Sequence, residues 1–137
     1  MDNKVYENDK MEVYAKECNI DALDIKVGSF AKVMGGDVLY MGLLLKEMFL
    51  DGNIPLACKA PIAIGIGYLI IPTDLIPDTI PLVGFADDGI TIKGILKSIK
   101  MQIRNYHKEK AIEGVKRFLK LNDKEATTIM AHIDAIL

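Results

Sequence analysis

Three prolines within ten residues, Pro72, Pro77 and Pro81, punctuate the most apolar part of this 137-residue chain. Each proline restrains its own φ and disfavours the α region for the residue before it, so the stretch up to Gly84 reads as a stiff, non-helical link. Leu75, Ile76, Ile80, Leu82 and Val83 would hold that link on a core, which makes it a packed corner rather than a loose loop. Just upstream, Ala60 to Thr73 is an uncharged run of 14 residues. A bilayer crossing needs about 20 apolar residues, and runs of 10 to 14 are more often buried helices. The corner therefore joins two central helices.

Elsewhere the apolar residues recur at three and four positions, and no segment alternates with a period of two. Residues 1–19 are acidic and weakly patterned, and form a poorly defined N-terminal segment. Ile20, Leu23, Val27, Phe30 and Met34 place one stripe on a short helix that Gly35 and Gly36 end. Asp37 is placed to cap a second helix, Val38 to Leu50, which is apolar nearly all round and belongs in a core or against lipid. Asp51, Gly52 and Asn53 make a turn, and Pro55 opens a third helix running to Ile71. A fourth helix starts near Phe85, with Ile92, Leu96, Ile99, Ile103 and Tyr106 on one face and Lys93, Lys97, Lys100, Arg104 and Lys108 on another. Unbroken to Leu121 it would be too long, so a break is expected near Asn105 to His107. Asn122 with Glu125 three residues on is a capping box, opening a last helix to about Ile136. The expectation is an all-α single domain of about five helices over residues 20–137, orthogonal or bundle-like in packing.

Composition narrows the function classes. Half of the residues are hydrophobic, but tryptophan is absent and aromatics are few, a palette of Ile, Leu, Val, Met and Ala that suits packed helices. Cys18 and Cys58 are the only cysteines and no secretory leader is seen, so both read as reduced thiols in a cytoplasm. The net charge of −2 conceals −4 over residues 1–24, −3 over 25–92 and +5 over 93–137. Only the C-terminal third has an evident affinity for anions. Nucleic-acid binding is disfavoured, because no aromatic residues interleave with the basic stripe and no reading motif is present. His107 and His132 are isolated and read as surface or partly packed residues. Gly65 and Gly67 lie inside an apolar helix, where they permit close packing rather than cradle a phosphate.

Asp74, Asp78, Asp87 and Asp88 sit inside or beside the greasy corner. Short acceptors satisfy the backbone N–H groups that turns and helix starts leave unpaired, and this is their plainest role. The run from Tyr68 through Pro72, Asp74, Leu75, Ile76, Pro77, Asp78, Ile80, Pro81 and Gly84 to Asp87 and Asp88 closely resembles the signature of the YkvA-like family, Tyr-Leu-x-x-Pro-x-Asp-Leu-Ile-Pro-Asp-x-Ile-Pro-x-x-Gly-x-x-Asp-Asp. Every fixed position is filled. The resemblance extends to Leu45–Lys59 upstream and, more weakly, to His107–Leu119, giving a family-like core of about 28–120. It departs at Gly89, where relatives carry a large apolar residue, and at Asn105 and Tyr106, near where many carry a proline. The resemblance implies a compact helical domain of unknown function, often described as membrane-associated. It supplies no catalytic residue and no cofactor.

Two functional expectations follow. In one, the chain is a small interaction module, cytoplasmic or at the inner face of the membrane. It would meet an anionic membrane surface or a protein partner through the corner (Tyr68, Pro72, Pro77, Pro81, Gly84) and the basic stripe Lys93, Lys97, Lys100, Arg104 and Lys108. Immersing Asp74 and Asp78 in hydrocarbon would cost about 2.5 to 3.5 kcal/mol each, which favours a shallow, peripheral mode. In the other, Asp74, Asp78, Asp87 and Asp88 gather around a divalent cation, in a binding protein or an enzyme. The apolar surface of Val38–Leu50 also makes a homodimer plausible.

Overall fold

The computed structural model describes residues 19–70 and 92–137. Among these residues every regular element is helical: α1 (Ile20–Leu50), α2 (Leu56–Ile70), α3 (92–98), a 3-10 turn (Lys100–Gln102), α4 (Asn105–Leu119) and α5 (Asp123–Ile136). The chain is all-α. The expected corner residues Pro72, Pro77, Pro81 and Gly84, the four aspartates and Cys18 lie outside the described residues.

The second half of α1 is the axis of the molecule. Leu39, Tyr40, Met41, Gly42, Leu43, Leu44, Leu45 and Met48 are all buried, as a helix apolar on every side requires. α4 and α2 make the most extensive contacts with it, and α5 covers a further side. Ile62, Ile66 and Leu69 of α2, Ile92 and Leu96 of α3, Ala111 and Val115 of α4 and Ile133 of α5 complete one continuous core. Gly65 lets α2 and α1 close up, since a Cβ there would stand 2.8 Å from Leu45 Cδ1. Pro61 sits within α2, where it removes one N–H from the ladder of an otherwise regular helix.

The first helix does end at Gly35, as expected, but through a kink rather than a loop. Gly35 has φ 80° and ψ 165°, a glycine region, and helical structure resumes beyond it, so that two helices run on as α1. Asn19 caps the start by accepting the Ala22 N–H at 3.2 Å. In the first half the inward stripe is Leu23, Val27, Ala31 and Met34, while Phe30 is partly exposed. The Asp37 carboxylate stands 3.2 Å from His132 Nδ1, tying α1 to α5.

The break after α3 falls earlier than expected. The 3-10 turn and the extended residues Ile103 and Arg104 separate α3 from α4, which starts at Asn105. Ile92, Leu96 and Ile99 are buried as the pattern requires, but Tyr106 belongs to a different helix and is exposed. The basic stripe is divided by the same break. Lys93 and Lys97 lie on α3, Lys100 on the 3-10 turn, and Arg104 at the cap of α4, while Lys108 is half-buried on α4. The α4–α5 joint follows helix-end chemistry. Lys120 takes the left-handed conformation that ends α4, and Leu121 donates back to Lys116 O at 3.1 Å. Glu125 N–H donates to Asn122 Oδ1 at 2.8 Å and Asn122 N–H to Glu125 Oε1 at 3.3 Å, the capping box legible in the sequence.

Candidate functional site

The densest polar constellation among the described residues lies where the turn after α1 meets the start of α4. The turn is built by Asp51, whose Oδ1 accepts the Asn53 N–H at 2.9 Å. Lys59, one turn into α2, reaches back and donates to the carbonyls of Met48 (3.1 Å), Phe49 and Asp51 (2.6 Å). A cation at a helix C-terminus satisfies carbonyls left without partners and opposes the negative end of the helix dipole. Asp51 is thereby held with its other oxygen, Oδ2, facing α4.

On α4, His107 occupies the third helical position and is 1 % exposed. Its Nδ1 accepts the Arg104 N–H at 2.9 Å, the part a Glu or Gln plays in a capping box. That contact leaves the ring proton on Nε2, which donates to Asp51 Oδ2 at 2.8 Å. The Tyr106 hydroxyl donates to the same oxygen. These donors pull the Asp51 carboxyl down to about 2, the Tyr106 hydrogen bond first and the Asn53 N–H next. The same bond raises the Tyr106 phenol. Both nitrogens of His107 are committed within the fold, so the ring is an anchor and not a base open to a substrate.

Beside this clasp lies a cleft of about 240 Å³. Glu47, Leu50 and Gly52 line it together with Asp51, and Tyr106, His107 and Lys110 line it from α4. The expectation of a surface or partly packed His107 is therefore corrected, because its ring is needed to satisfy Arg104 N–H and Asp51 in the interior. The sequence did hold one signal for it, since His107 opens the second segment of family resemblance. His132 is exposed, as expected.

The anticipated surface residues do not form one array. Lys97, Lys100 and Arg104 are exposed and Lys93 is half-buried, while Lys108 Nζ pairs with Asp134 at 3.2 Å and faces α5. Tyr68 is half-buried on α2. Asp74, Asp78, Asp87 and Asp88 fall outside the described residues, and among the described residues no three His, Cys, Asp or Glu side chains are grouped to hold a metal. Cys58 is a free, half-buried thiol. No described helix is long and apolar enough to cross a membrane.

No curated protein and no solved structure matches the chain. A family model does match residues 58–93, that of a protein of unknown function (DUF1232). The matched residues take in the Pro-Asp stretch and most of α2, and stop short of both sides of the Asp51–His107 clasp. Over residues 58–93 the chain is thus similar to an uncharacterised family of proteins.

Proposed function

We propose that the chain is a small helical module that makes peripheral contact with an anionic membrane surface at the end of the molecule where α1 turns into α2. The observation carrying this reading is that the two chain segments joined by the Asp51–Tyr106 bond each carry exposed large apolar side chains, and one of them carries exposed cations as well. Leu50 (57 % exposed) and Leu56 (84 %) bracket the Asp51 turn, while Met101 (79 %) and Tyr106 (45 %) bracket Arg104. The Asp51–Tyr106 bond brings these two parts of the chain together. Lys97 and Lys100 precede Met101 and are exposed. Large apolar side chains beside cations suit the boundary between headgroups and acyl chains, where each surface-proximal Lys or Arg contributes about 1 kcal/mol toward anionic lipid. The resemblance to the YkvA-like family supports the same reading.

The test is co-sedimentation of the full chain with vesicles of phosphatidylcholine and phosphatidylglycerol. The wild type pellets with them at low salt and is released by detergent, and Leu56→Ser with Met101→Ser reduces the pelleted fraction, as does Lys97→Glu with Lys100→Glu. Recovery wholly in the supernatant at low salt overturns the reading.

A further inference from the structure

The cleft beside the clasp carries charges of both signs that the described fold leaves unused. Glu47 precedes Asp51 by one helical turn on α1, and Lys110 follows Tyr106 by one turn on α4, so the two line the cleft from opposite helices. Neither has an ion pair or side-chain hydrogen bond among the described residues. Asp51, by contrast, is fully engaged by Asn53, Tyr106 and His107. A free anion entering here would meet Lys110 but also the carboxylates of Glu47 and Asp51. A free ammonium would meet Glu47 but also Lys110. A molecule with both charges satisfies both walls at once. At about 240 Å³ the cleft is smaller than the roughly 300 to 1,000 Å³ of most ligand pockets, which limits it to a headgroup-sized guest.

We infer that this cleft binds a phosphoethanolamine-type zwitterion, with the primary ammonium on Glu47 and the phosphate on Lys110. The inference rests on the membrane-contact reading for its preference of phosphate over carboxylate. Leu50 forms an exposed apolar lip of the cleft, where the glycerol and acyl chains of a phospholipid would leave it. A primary ammonium donates hydrogen bonds to a carboxylate. A trimethylammonium cannot, and with Tyr106 as the one Phe, Tyr or Trp side chain lining it the cleft has no aromatic cage for such a group. Ethanolamine is therefore preferred over choline. The same chemistry is offered by a lipid headgroup and by soluble phosphoethanolamine.

The experiment uses the full chain in two arms. In the first, O-phosphoethanolamine, phosphocholine and β-alanine are titrated while the NMR signals of Glu47, Tyr106 and Lys110 are followed. In the second, phosphatidylethanolamine replaces phosphatidylcholine in vesicles of constant phosphatidylglycerol content. Phosphoethanolamine is expected to bind at least about tenfold more tightly than either other solute, and Glu47→Gln and Lys110→Met each to weaken it about tenfold or more, as loss of one charge-assisted hydrogen bond implies. Both substitutions are at partly or fully exposed positions, and an unchanged circular dichroism spectrum confirms the fold. Vesicle binding that rises with phosphatidylethanolamine, and does so less in either variant, assigns the guest to lipid. Binding to phosphatidylglycerol vesicles with no response to phosphoethanolamine in either arm overturns this inference and leaves the membrane reading standing. Phosphoethanolamine binding without any vesicle binding supports the cleft, assigns the soluble source, and overturns the membrane reading. Equal binding of β-alanine or phosphocholine overturns the assignment.

Discussion

The Nε2 of His107 stands 2.8 Å from Oδ2 of Asp51, and this contact ties the turn after α1 to the first turn of α4 across 56 residues of chain. Its energetic weight comes from burial. A ring 1 % exposed has no water to fall back on, so each of its nitrogens must find a partner inside the protein, and each does.

His107→Ala removes a buried ring, leaves Arg104 N–H without its acceptor and takes a donor from Asp51, for a loss of about 2 to 4 kcal/mol in urea unfolding. His107→Gln presents an amide donor toward Asp51 and is expected to lose about half as much. Equal losses for the two variants would show that volume, not the hydrogen bond, is what the site requires.

The depressed Asp51 carboxyl gives the fold an acid limit with a definite sign. In the unfolded chain the group titrates near 3.8 and in the fold at about 2, so the unfolded state binds the proton more readily. Its contribution is complete above pH 4 and is lost as pH falls toward 2. Asp123, lowered by its bond to Lys116, adds to the same window. Urea midpoints taken from pH 5 to pH 2 should fall less steeply for Asp51→Asn than for the wild type. Parallel curves would mean that Asp51 is not held by these donors in solution.

What the sequence disclosed and what it hid divide by range. The Asn122–Glu125 box, the turn at Asp51 and the interruption at Gly35 are chemistry between residues at most four apart, and all were legible. The burial of Leu39–Leu45 and Met48 was legible as well, because that part of the helix offers no polar face to expose. The inward place of Ala31 and the outward place of Phe30 were not. Both fit a three-four pattern, and packing against other elements decides the phase. The break between α3 and α4 has no proline or glycine to announce it, so the periodicity places it too late and runs the basic stripe across it. His107 and Asp51 are too distant in the chain for any spacing rule to join them.

Tyr40 is the opposite case to His107. It is fully buried on α1, and its hydroxyl has no hydrogen-bond partner among the described residues. Burial, and after it the negative charge of Asp134, push the phenol above its ordinary value of 10.0. Tyr40→Phe keeps the ring and removes the stranded hydroxyl, so stability should rise by about 1 kcal/mol at neutral pH. A phenol whose pKa is raised in the fold contributes stability that is present below pH 10 and lost as the pH climbs beyond it. Tyr40→Phe lacks that loss, and its advantage in chemical denaturation should widen above pH 10. An advantage that vanishes at neutral pH would point to a partner for the hydroxyl in solution.

Two glycines of α1 separate backbone conformation from space. A Cβ would meet nothing within 4 Å at either Gly28 or Gly35, so crowding is not at issue in either place. Gly28 is exposed within regular helix, where alanine lowers the entropy of the unfolded chain and should stabilise by about 0.5 to 1 kcal/mol. Gly35 stands at φ 80° and ψ 165°, which a residue with a Cβ reaches only with strain of about 1 to 3 kcal/mol. Thermal melts of Gly28→Ala and Gly35→Ala should therefore move in opposite directions. The kink also aims the two halves of α1 separately. Relaxing it to regular helix would swing Leu23 and Val27 away from the core they share with Leu39 and Leu44. A Gly35→Ala protein that melts no lower than the wild type would mean that α1 is one straight helix in solution.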